Sequence, residues 1–303
     1  MSHAIEIRRL HYRAGKSFEI PSLDLTVPTG SIYGFLGPNG SGKTTTMRLV
    51  LGLLRPRAGE IRVLERLMPQ DAPAVLARTG YVPEQPHLDP TLTVGELLRF
   101  QAAFYPTWDH AWAAQLLTTF ELDGRHPFGR LSKGQKGKLM MLLALAQRPE
   151  LLVLDEPTDG LDPVVRRDML AALLDYVSER GATVFISSHL VHELERMCDW
   201  IGVMDQGRLV TELPMERFKN GIKRLVVADA PVEVGATPFS LLSRERNGAA
   251  TETWLVRDWE PEMQAFFDTG GASLQRVIDL DLEDGFVELL RTFRSPPIHE
   301  EAR

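Results

Sequence analysis

The chain is poor in cysteine, has no long apolar run and lacks an excess of basic residues. Its single cysteine, Cys198, cannot form an intrachain disulfide, so a reducing compartment is expected. The longest uninterrupted apolar run, Leu139–Ala146, has eight residues, whereas a membrane-spanning helix needs about 20. The first 13 residues show no apolar stretch followed by a small-residue cleavage site, so no secretory signal is expected. We therefore expect the chain to remain where it is made and to reach a membrane only through a partner.

The formal net charge is −7, from 34 basic and 41 acidic residues, and it is unevenly distributed. Residues 222–303 contain 9 Lys and Arg against 15 Asp and Glu, which leaves the rest of the chain almost neutral. Nucleic-acid-binding proteins usually carry a basic patch, and an acidic segment is not attracted to anionic lipid. We therefore expect no nucleic-acid partner.

Strands and helices alternate along the first 200 residues. Apolar runs at 31–36, 151–154 and 183–187 predict buried strands, and the segments 43–54, 93–147 and 163–180 show helical character. Shorter strands are predicted at 4–7, 18–20, 23–27 and 80–82. This alternation predicts an α/β domain with a mostly parallel sheet.

The pattern changes near Gly207. A hairpin is predicted at 201–210, then strands at 224–227, 253–256 and 274–278 and a helix at 282–293. We place a domain boundary near 215–222, which separates a first domain at 1–215 from a small α+β domain at 222–303. The residues after this last helix are expected to be frayed.

A glycine-rich loop follows the first buried strand and leads into a helix. It matches the motif G-x-x-x-x-G-K-[ST], and we assign to phosphate binding its residues Gly37, Pro38, Asn39, Gly40, Ser41, Gly42, Lys43 and Thr44, with Thr45 next on the helix. Glycines allow successive backbone N–H groups to face an anion, and the positive end of the helix favours phosphate. Lys43 is expected to reach the β- and γ-phosphates, and the Thr44 hydroxyl to ligate Mg²⁺.

A second acidic site follows another buried strand. Leu151–Leu154 ends in Asp155 and Glu156. Asp155 is predicted to hold Mg²⁺, and Glu156 to polarise the attacking water. Together with the glycine-rich loop, this pair predicts a nucleoside triphosphatase.

Three further segments carry recognisable motifs: Leu131–Gln135 reads LSKGQ, residues 151–163 read LLVLDEPTDGLDP, and Ser187-Ser188-His189 stands at the end of the predicted strand 183–187. In this order they resemble the signature LSGGQ, the run LLLLDEPT..LD and the switch histidine of the ATP-binding cassette (ABC) ATPases. The spacing also fits, because Ser132 lies 23 residues before Asp155. The resemblance covers about residues 4–215 and implies a P-loop ABC cassette with a mixed, mostly parallel core sheet, antiparallel strands and a helical subdomain at about 86–147.

The resemblance also implies a mechanism in which two cassettes close head to tail around two ATP molecules. The phosphate loop of one subunit and the signature residues Ser132, Gly134 and Gln135 of the other would enclose each ATP. Within its own subunit, His189 would hold the γ-phosphate and Glu156 would be the general base. A homodimer would be sufficient, because one chain carries both halves of the site.

The chain departs from the family pattern at three places. Lys133 replaces the third signature glycine, and the position of the Q-loop glutamine, a metal ligand, is taken by Glu84 with Gln85 beside it. A carboxylate can still ligate Mg²⁺, so we count Glu84 among the metal ligands.

The third departure concerns the aromatic residue that stacks on adenine. The resemblance places it at Ala14, which cannot stack; Tyr12 or Phe18 could take this role, or either could be an ordinary core residue.

Family members of this kind power a separate transmembrane permease, and the end of the chain, LDLEDGFVEL, resembles the tail of exporter-type subunits. The resemblance therefore implies an ATP-hydrolysing exporter subunit at the cytoplasmic face of the cell membrane, peripheral through the permease. The alternatives are a soluble ABC ATPase that acts on ribosomes or DNA, and a degenerate cassette that binds ATP without turnover.

Overall fold

The structure is a computed structural model and describes residues 2–231, 234–247, 251–269 and 271–294. The chain divides by contacts into two units, one of Met1–Leu190 with Met204–Leu209 and one of Val191–Val203 with Val210–Arg303. This division differs from the predicted boundary near 215–222, and the assignment of 1–215 and 222–303 as functional domains stays a prediction. None of the described helices is both long and apolar enough to cross a membrane. The residues predicted to be frayed lie outside the described residues.

Fourteen strands and ten α-helices are present in the described residues. The strands are β1 (His3–Ala14), β2 (Phe18–Pro28), β3 (Ile32–Leu36), β4 (Ala58–Val63), β5 (Arg66–Met68), β6 (Thr79–Val82), β7 (Leu151–Asp155), β8 (Thr183–Ser188), β9 (Trp200–Asp205), β10 (Arg208–Pro214), β11 (Lys223–Ala228), β12 (Ser240–Arg246), β13 (Thr251–Arg257) and β14 (Ser273–Asp279). The helices are α1 (Lys43–Val50), α2 (Ala72–Leu76), α3 (Val94–Ala102), α4 (His110–Thr119), α5 (Lys133–Ala146), α6 (Pro163–Arg180), α7 (Val191–Leu194), α8 (Met215–Gly221), α9 (Ala265–Thr269) and α10 (Leu282–Arg294).

The core of the first unit is a parallel sheet in which β3, β8, β7 and β6 lie side by side in that order. Every residue of β3, β7 and β8 is buried, as expected when helices cover both faces of a parallel sheet. The register pairs Leu36 with Ser188 and Asp155 with Ser187. The carboxyl ends of three neighbouring strands therefore meet at one edge, where open α/β sheets bind their ligands.

A separate antiparallel sheet has the order β2-β1-β4-β5. The predicted strands at 18–20 and 23–27 form one continuous strand, β2, and β4 and β5 were not predicted. Predicted helix 43–54 ends at Val50, because Leu51–Leu54 form turns. The region 93–147, which was predicted to be helical, contains the three α-helices α3, α4 and α5.

The second unit contains an antiparallel sheet of order β12-β13-β11-β14. Its core includes Trp254 and Trp259, which are 0% and 7% exposed, so the prediction that both tryptophans are core residues is confirmed. Helix α10 buries one apolar face, formed by Leu282, Phe286, Leu289 and Leu290. The predicted amphipathic helix is therefore present, and it lies in this unit.

Candidate functional site

The glycine-rich loop has a backbone that only glycine adopts easily. Gly40 and Gly42 have φ angles of 79° and 117°. A side chain at Gly42 would also meet Phe18 and Met204, since an added Cβ would lie 2.8 Å from an atom of each. Gly42 caps the N-terminus of α1, so the N–H groups and the positive end of the helix dipole lie where the sequence predicts phosphate binding.

Lys43 is buried in this loop although it carries a charge. Its side chain is 5% exposed, and its ammonium donates to the carbonyl oxygens of Gly37 at 2.7 Å and Pro38 at 3.4 Å. It also lies 3.1 Å from Oε1 of Glu156. The loop therefore holds a desolvated cation next to the acidic end of β7.

Asp155 at the end of β7 is only 1% exposed. Its Oδ1 accepts hydrogen bonds from Thr44 Oγ1 at 3.0 Å and from Ser187 Oγ at 2.8 Å. Oδ2 has no hydrogen-bond partner among the described residues. Burial raises the pKa of Asp155, and the hydrogen bonds from Ser187 and Thr44 oppose this shift. A buried carboxylate with one oxygen left over is a suitable ligand for a cation.

Glu156 and His189 form a pair beside Asp155. His189 Nδ1 lies 2.8 Å from Glu156 Oε2, and the His189 backbone N–H donates to the same oxygen at 3.2 Å. Glu156 has a φ of 48°, which is uncommon for a residue other than glycine. Its backbone N–H donates to Ser187 Oγ at 2.9 Å, which helps to hold this conformation. Unusual backbone angles of this kind cluster at functional sites.

Ser187 is the residue of this site that sequence reasoning missed. Its hydroxyl contacts both Asp155 and the backbone of Glu156, and it is completely buried. The motif around the switch histidine contained it, but only the strand register could have placed it opposite Asp155.

The predicted metal ligands are only partly brought together. Thr44 and Asp155 are in contact, whereas Glu84 is exposed after β6 and no hydrogen bond joins it to either residue within the described part of the chain. The described residues also contain no group of three or more His, Cys, Asp or Glu side chains arranged to hold a metal. Mg²⁺ usually takes one or two carboxylates and fills its shell with water and substrate phosphates, so the Thr44–Asp155 pair fits this ion.

The signature segment forms the start of helix α5. Ser132 is its N-cap, and a capping box links Ser132 and Gln135: the Gln135 N–H donates to Ser132 Oγ at 3.2 Å, and the Ser132 N–H donates to Gln135 Oε1 at 3.0 Å. Among the described residues, no hydrogen bond or ion pair joins Ser132, Gly134 or Gln135 to the phosphate loop. Within the described part of the chain, the signature therefore contributes no hydrogen bond or ion pair to the phosphate loop of its own subunit.

A cavity of about 660 Å³ opens next to the signature segment. Its lining includes Ser132, Gly134 and Gln135 together with Gly160 and Asp162 from the loop after β7. Asp162 caps α6, because its Oδ1 accepts the N–H groups of Val164 and Val165. The signature and this loop therefore share one surface.

The three positions considered for the adenine contact lie on the β1–β2 hairpin: Ala14, which cannot stack, and the two aromatic candidates Tyr12 and Phe18. Ala14 pairs with Phe18, and Tyr12 pairs with Ile20. Phe18 is close to the phosphate loop, as its contact with the Gly42 position shows. Of the two aromatic residues, Phe18 is therefore the one with a shown approach to the phosphate loop.

The aromatic residues of the helical region divide into two groups. Trp108 and Phe120 are buried at 8% and 1% exposure, whereas Phe100 and Phe104 on and after α3 are 59% and 64% exposed. The rings of this exposed pair contact each other edge to face, with their centroids 5.0 Å apart. Trp108 and Phe120 are therefore core residues, and the exposed pair forms an apolar surface feature.

Comparison with known proteins agrees with this geometry. A family model described as ABC transporter matches residues 20–159. The chain is 35% identical to the bacitracin transport ATP-binding protein BcrA of Bacillus licheniformis over 221 residues. This alignment covers 72% of each of the two chains. It is 33% identical to the Nod factor export ATP-binding protein I of Cupriavidus metallidurans over 299 residues. This alignment covers 95% of this chain and 98% of that protein.

The fold is also found among solved structures. The structure of an ATP-binding subunit of an ABC transporter superimposes with a TM-score of 0.65 at 26% identity, over 71% of this chain and 92% of that one. The predicted P-loop α/β cassette fold is thereby confirmed. With the buried lysine and carboxylates at the carboxyl edge of the parallel sheet, these similarities show that the chain belongs to the ABC transporter family as an ATP-binding subunit.

Proposed function

We propose that this subunit binds ATP with Mg²⁺ and hydrolyses it, and that Lys43, Thr44, Asp155, Glu156 and His189 carry the reaction. The observation that supports the proposal best is the pair of contact sets at the carboxyl ends of β3, β7 and β8: Glu156 contacts Lys43 and His189, and Thr44 contacts Asp155. The Ser187 hydroxyl links the two sets, because it bonds to Asp155 and to the backbone of Glu156. Phosphoryl transfer needs mainly positioning and charge neutralisation, which such a cluster can provide.

Each of the other predicted residues has a role in this proposal. The backbone of residues 37–42 and the start of α1 with Thr45 cradle the phosphates, and the Lys43 ammonium neutralises the β- and γ-phosphates. Thr44 and Asp155 would hold Mg²⁺, and Glu84 would join them through water. When bound, this ion screens the phosphate charge and orients the phosphate oxygens.

Glu156 would accept the proton of the attacking water. Its Oε2 is already hydrogen-bonded to His189, and its Oε1 lies beside Lys43, so two positive or donor groups fix the carboxylate in place. His189 would hold the γ-phosphate through its second ring nitrogen, Nε2. A fixed base and a fixed phosphate ligand reduce the reorganisation needed at the moment of reaction.

We propose further that two copies of the chain act as a head-to-tail dimer. Within the described residues, no hydrogen bond or ion pair joins Ser132, Gly134 or Gln135 to the chain's own phosphate loop. This supports the dimer, because the signature is then available to the site of a partner. The α5 N-terminus, with its capped hydroxyl and N–H groups, is suited to an anion that approaches from outside.

The dimer would act beneath a separate transmembrane permease at the cytoplasmic face of the membrane, and would power export. The relatives named for bacitracin transport and Nod factor export support this direction. We assign contact with the permease to the helical subdomain at 86–147, where the exposed Phe100 and Phe104 offer an apolar surface.

The proposed reaction is tested with two variants of the full chain. Lys43→Ala is expected to abolish ATP binding. Glu156→Gln is expected to bind ATP with little loss of affinity and to accumulate as an ATP-bound dimer. Its hydrolysis should be at least 100-fold slower, since loss of a general base typically costs about 10²–10⁴-fold. Unchanged nucleotide affinity in Lys43→Ala would reject the loop assignment, and a Glu156→Gln protein that stays monomeric at saturating ATP would reject the dimer.

Membrane partnership is tested by pull-down of the tagged chain from detergent-solubilised membranes of its native cell, followed by mass spectrometry. Recovery of a polytopic membrane protein in equal amount is expected. Recovery of ribosomes or DNA-repair proteins instead would favour the soluble ABC ATPase over the transporter subunit.

A further inference from the structure

Lys133, the signature residue that replaces a glycine, turns towards its own subunit. Its ammonium lies 3.2 Å from Asp159 Oδ2, in the loop that follows Glu156. Its side chain also runs over Gly160, where an added Cβ would overlap the ammonium group. Two independent contacts therefore place Lys133 against this loop.

Asp159 is shared between two cationic or ionisable groups. Its Oδ2 faces Lys133, and its Oδ1 lies 3.8 Å from His189 Nε2. The other ring nitrogen of His189 is bonded to Glu156 at 2.8 Å. His189 therefore stands between two carboxylates, and Nε2, the nitrogen proposed to meet the γ-phosphate, is the one that Asp159 approaches.

We propose that Lys133 is a positioning residue for hydrolysis: it holds the Asp159 carboxylate away from His189 Nε2 and so keeps that nitrogen available to the γ-phosphate. Without Lys133, the only ion-pair partner of Asp159 within the described residues is His189. The carboxylate then closes on Nε2 while the phosphate loop still holds the nucleotide, and it occupies the ring nitrogen that the γ-phosphate needs during hydrolysis. This inference rests on the proposed role of His189.

The geometry also explains how a bulky cation is tolerated in the signature. A lysine that pointed along the outer surface of α5 would add its charge to the partner's site. The Lys133 side chain, 63% exposed, is instead neutralised by Asp159 in the same chain. Its effect is therefore expected on the His189 of its own subunit.

The test compares Lys133→Met and Lys133→Arg in full-length chains that carry either the native Asp159 or Asp159→Asn. Lys133→Met removes the charge and keeps the length of the side chain, and Lys133→Arg keeps the charge. An exposed ion pair changes an equilibrium by about two- to fivefold. We therefore expect K133M to lower kcat by that factor with KM for ATP unchanged, and K133R to stay within twofold of wild type.

The decisive comparison is made with Asp159→Asn, which removes the carboxylate that Lys133 restrains. In this background K133M is expected to have no effect on kcat. A second readout needs no nucleotide: in ¹⁵N-histidine-labelled protein, with the His189 signals assigned by His189→Gln, K133M should move the His189 ring nitrogen shifts only when Asp159 is present.

Two results would overturn the inference. One is an equal loss of kcat on K133M with and without Asp159→Asn, which would mean that Lys133 acts directly on the partner's site. The other is an unchanged His189 spectrum in K133M. Absence of ATP hydrolysis by the wild-type chain would count against the proposed function instead, and the nucleotide-free spectrum would still decide the role of Lys133.

Discussion

Replacement of Ser187 by alanine should show that its hydroxyl supports both the metal-binding and the catalytic carboxylate. The hydroxyl donates to Asp155 Oδ1 at 2.8 Å and accepts the backbone N–H of Glu156 at 2.9 Å. Both contacts are lost in Ser187→Ala. Because the side chain is 0% exposed, we expect no water to take the place of the hydroxyl. The substitution therefore affects two neighbouring site residues at once.

The expected loss of stability follows from these two bonds. A hydrogen bond to a charged group contributes about 1.5–3 kcal/mol, and a buried N–H left without a partner costs about 1–3 kcal/mol. The two are not additive, because one hydroxyl makes both, so we expect the free energy of unfolding to fall by about 2–4 kcal/mol. The left-handed conformation of Glu156, with φ of 48°, also loses a restraint.

The loss should depend on pH in a defined direction. Burial raises the pKa of Asp155 above 3.8, and the Ser187 hydrogen bond lowers it, so Ser187→Ala raises this pKa further. A carboxyl group whose pKa is higher in the folded than in the unfolded state stabilises the folded protein at pH values below the unfolded pKa. This contribution is lost as the pH rises through the folded pKa. The destabilisation should therefore increase as the pH is raised above 3.8 and become constant once Asp155 is ionised in the folded protein.

The assay is urea unfolding across this pH range, together with ATP binding and hydrolysis at neutral pH. Thr183→Val on the same strand is the matched control, because it removes a buried hydroxyl that accepts the Gly30 N–H and touches no site residue. We expect hydrolysis to fall in Ser187→Ala by more than in Thr183→Val, with ATP binding through the phosphate loop retained. Equal hydrolysis in the two variants, or destabilisation of Ser187→Ala that does not change with pH, would refute the reasoning.

Two further predictions concern the loop and the helical region. Gly42→Ala should weaken ATP binding and lower the stability of the folded chain more than Gly40→Ala does. Both glycines have a positive φ, but an added Cβ at Gly42 would meet the Phe18 ring, whereas nothing lies within 4 Å of an added Cβ at Gly40. Measurements of ATP binding and of unfolding on both variants check this. Asp109→Ala should cost about 0.5–2 kcal/mol at pH 7, since Asp109 caps α4 and pairs with Arg148 at 2.8 Å. The Trp112 backbone N–H and Arg148 lower the pKa of Asp109, so this cost should shrink as pH falls below 3.8; a cost that is independent of pH in urea titrations would contradict it.

The phosphate loop and the acidic strand end could be predicted because their chemistry is local. A backbone with φ of 117° at Gly42 requires glycine, and an apolar strand that ends in Asp155 leaves the carboxylate at the sheet edge. The presence of a mostly parallel sheet followed from strand–helix alternation, whereas the order of its strands did not. These features depend on residues that are neighbours in sequence, so a pattern can reveal them.

The remaining features depend on contacts between distant segments. Asp155 and Ser187 meet because β7 and β8 are paired in one register, and the link from Lys133 to Asp159 joins positions 26 residues apart. Strand β12 was missed because its residues are half-buried or exposed, so no apolar alternation marks it. Phe18 could not be preferred over Tyr12 from the sequence because its approach to Gly42 joins two segments that meet only in the folded chain.

The site concentrates several features that work against folding. Asp155 is buried with one oxygen that lacks a hydrogen bond among the described residues, Lys43 is buried beside it, and Glu156 has an uncommon backbone conformation. Asp155 calls for a cation and Lys43 for anionic oxygens, so a partner of one charge cannot serve both. A metal ion with a triphosphate supplies both charges at once: a cation for Asp155 and anionic oxygens for Lys43. Since a ligand that binds only the folded state stabilises it, the same buried charges that lower the stability of the free chain should raise its affinity for the metal–nucleotide complex.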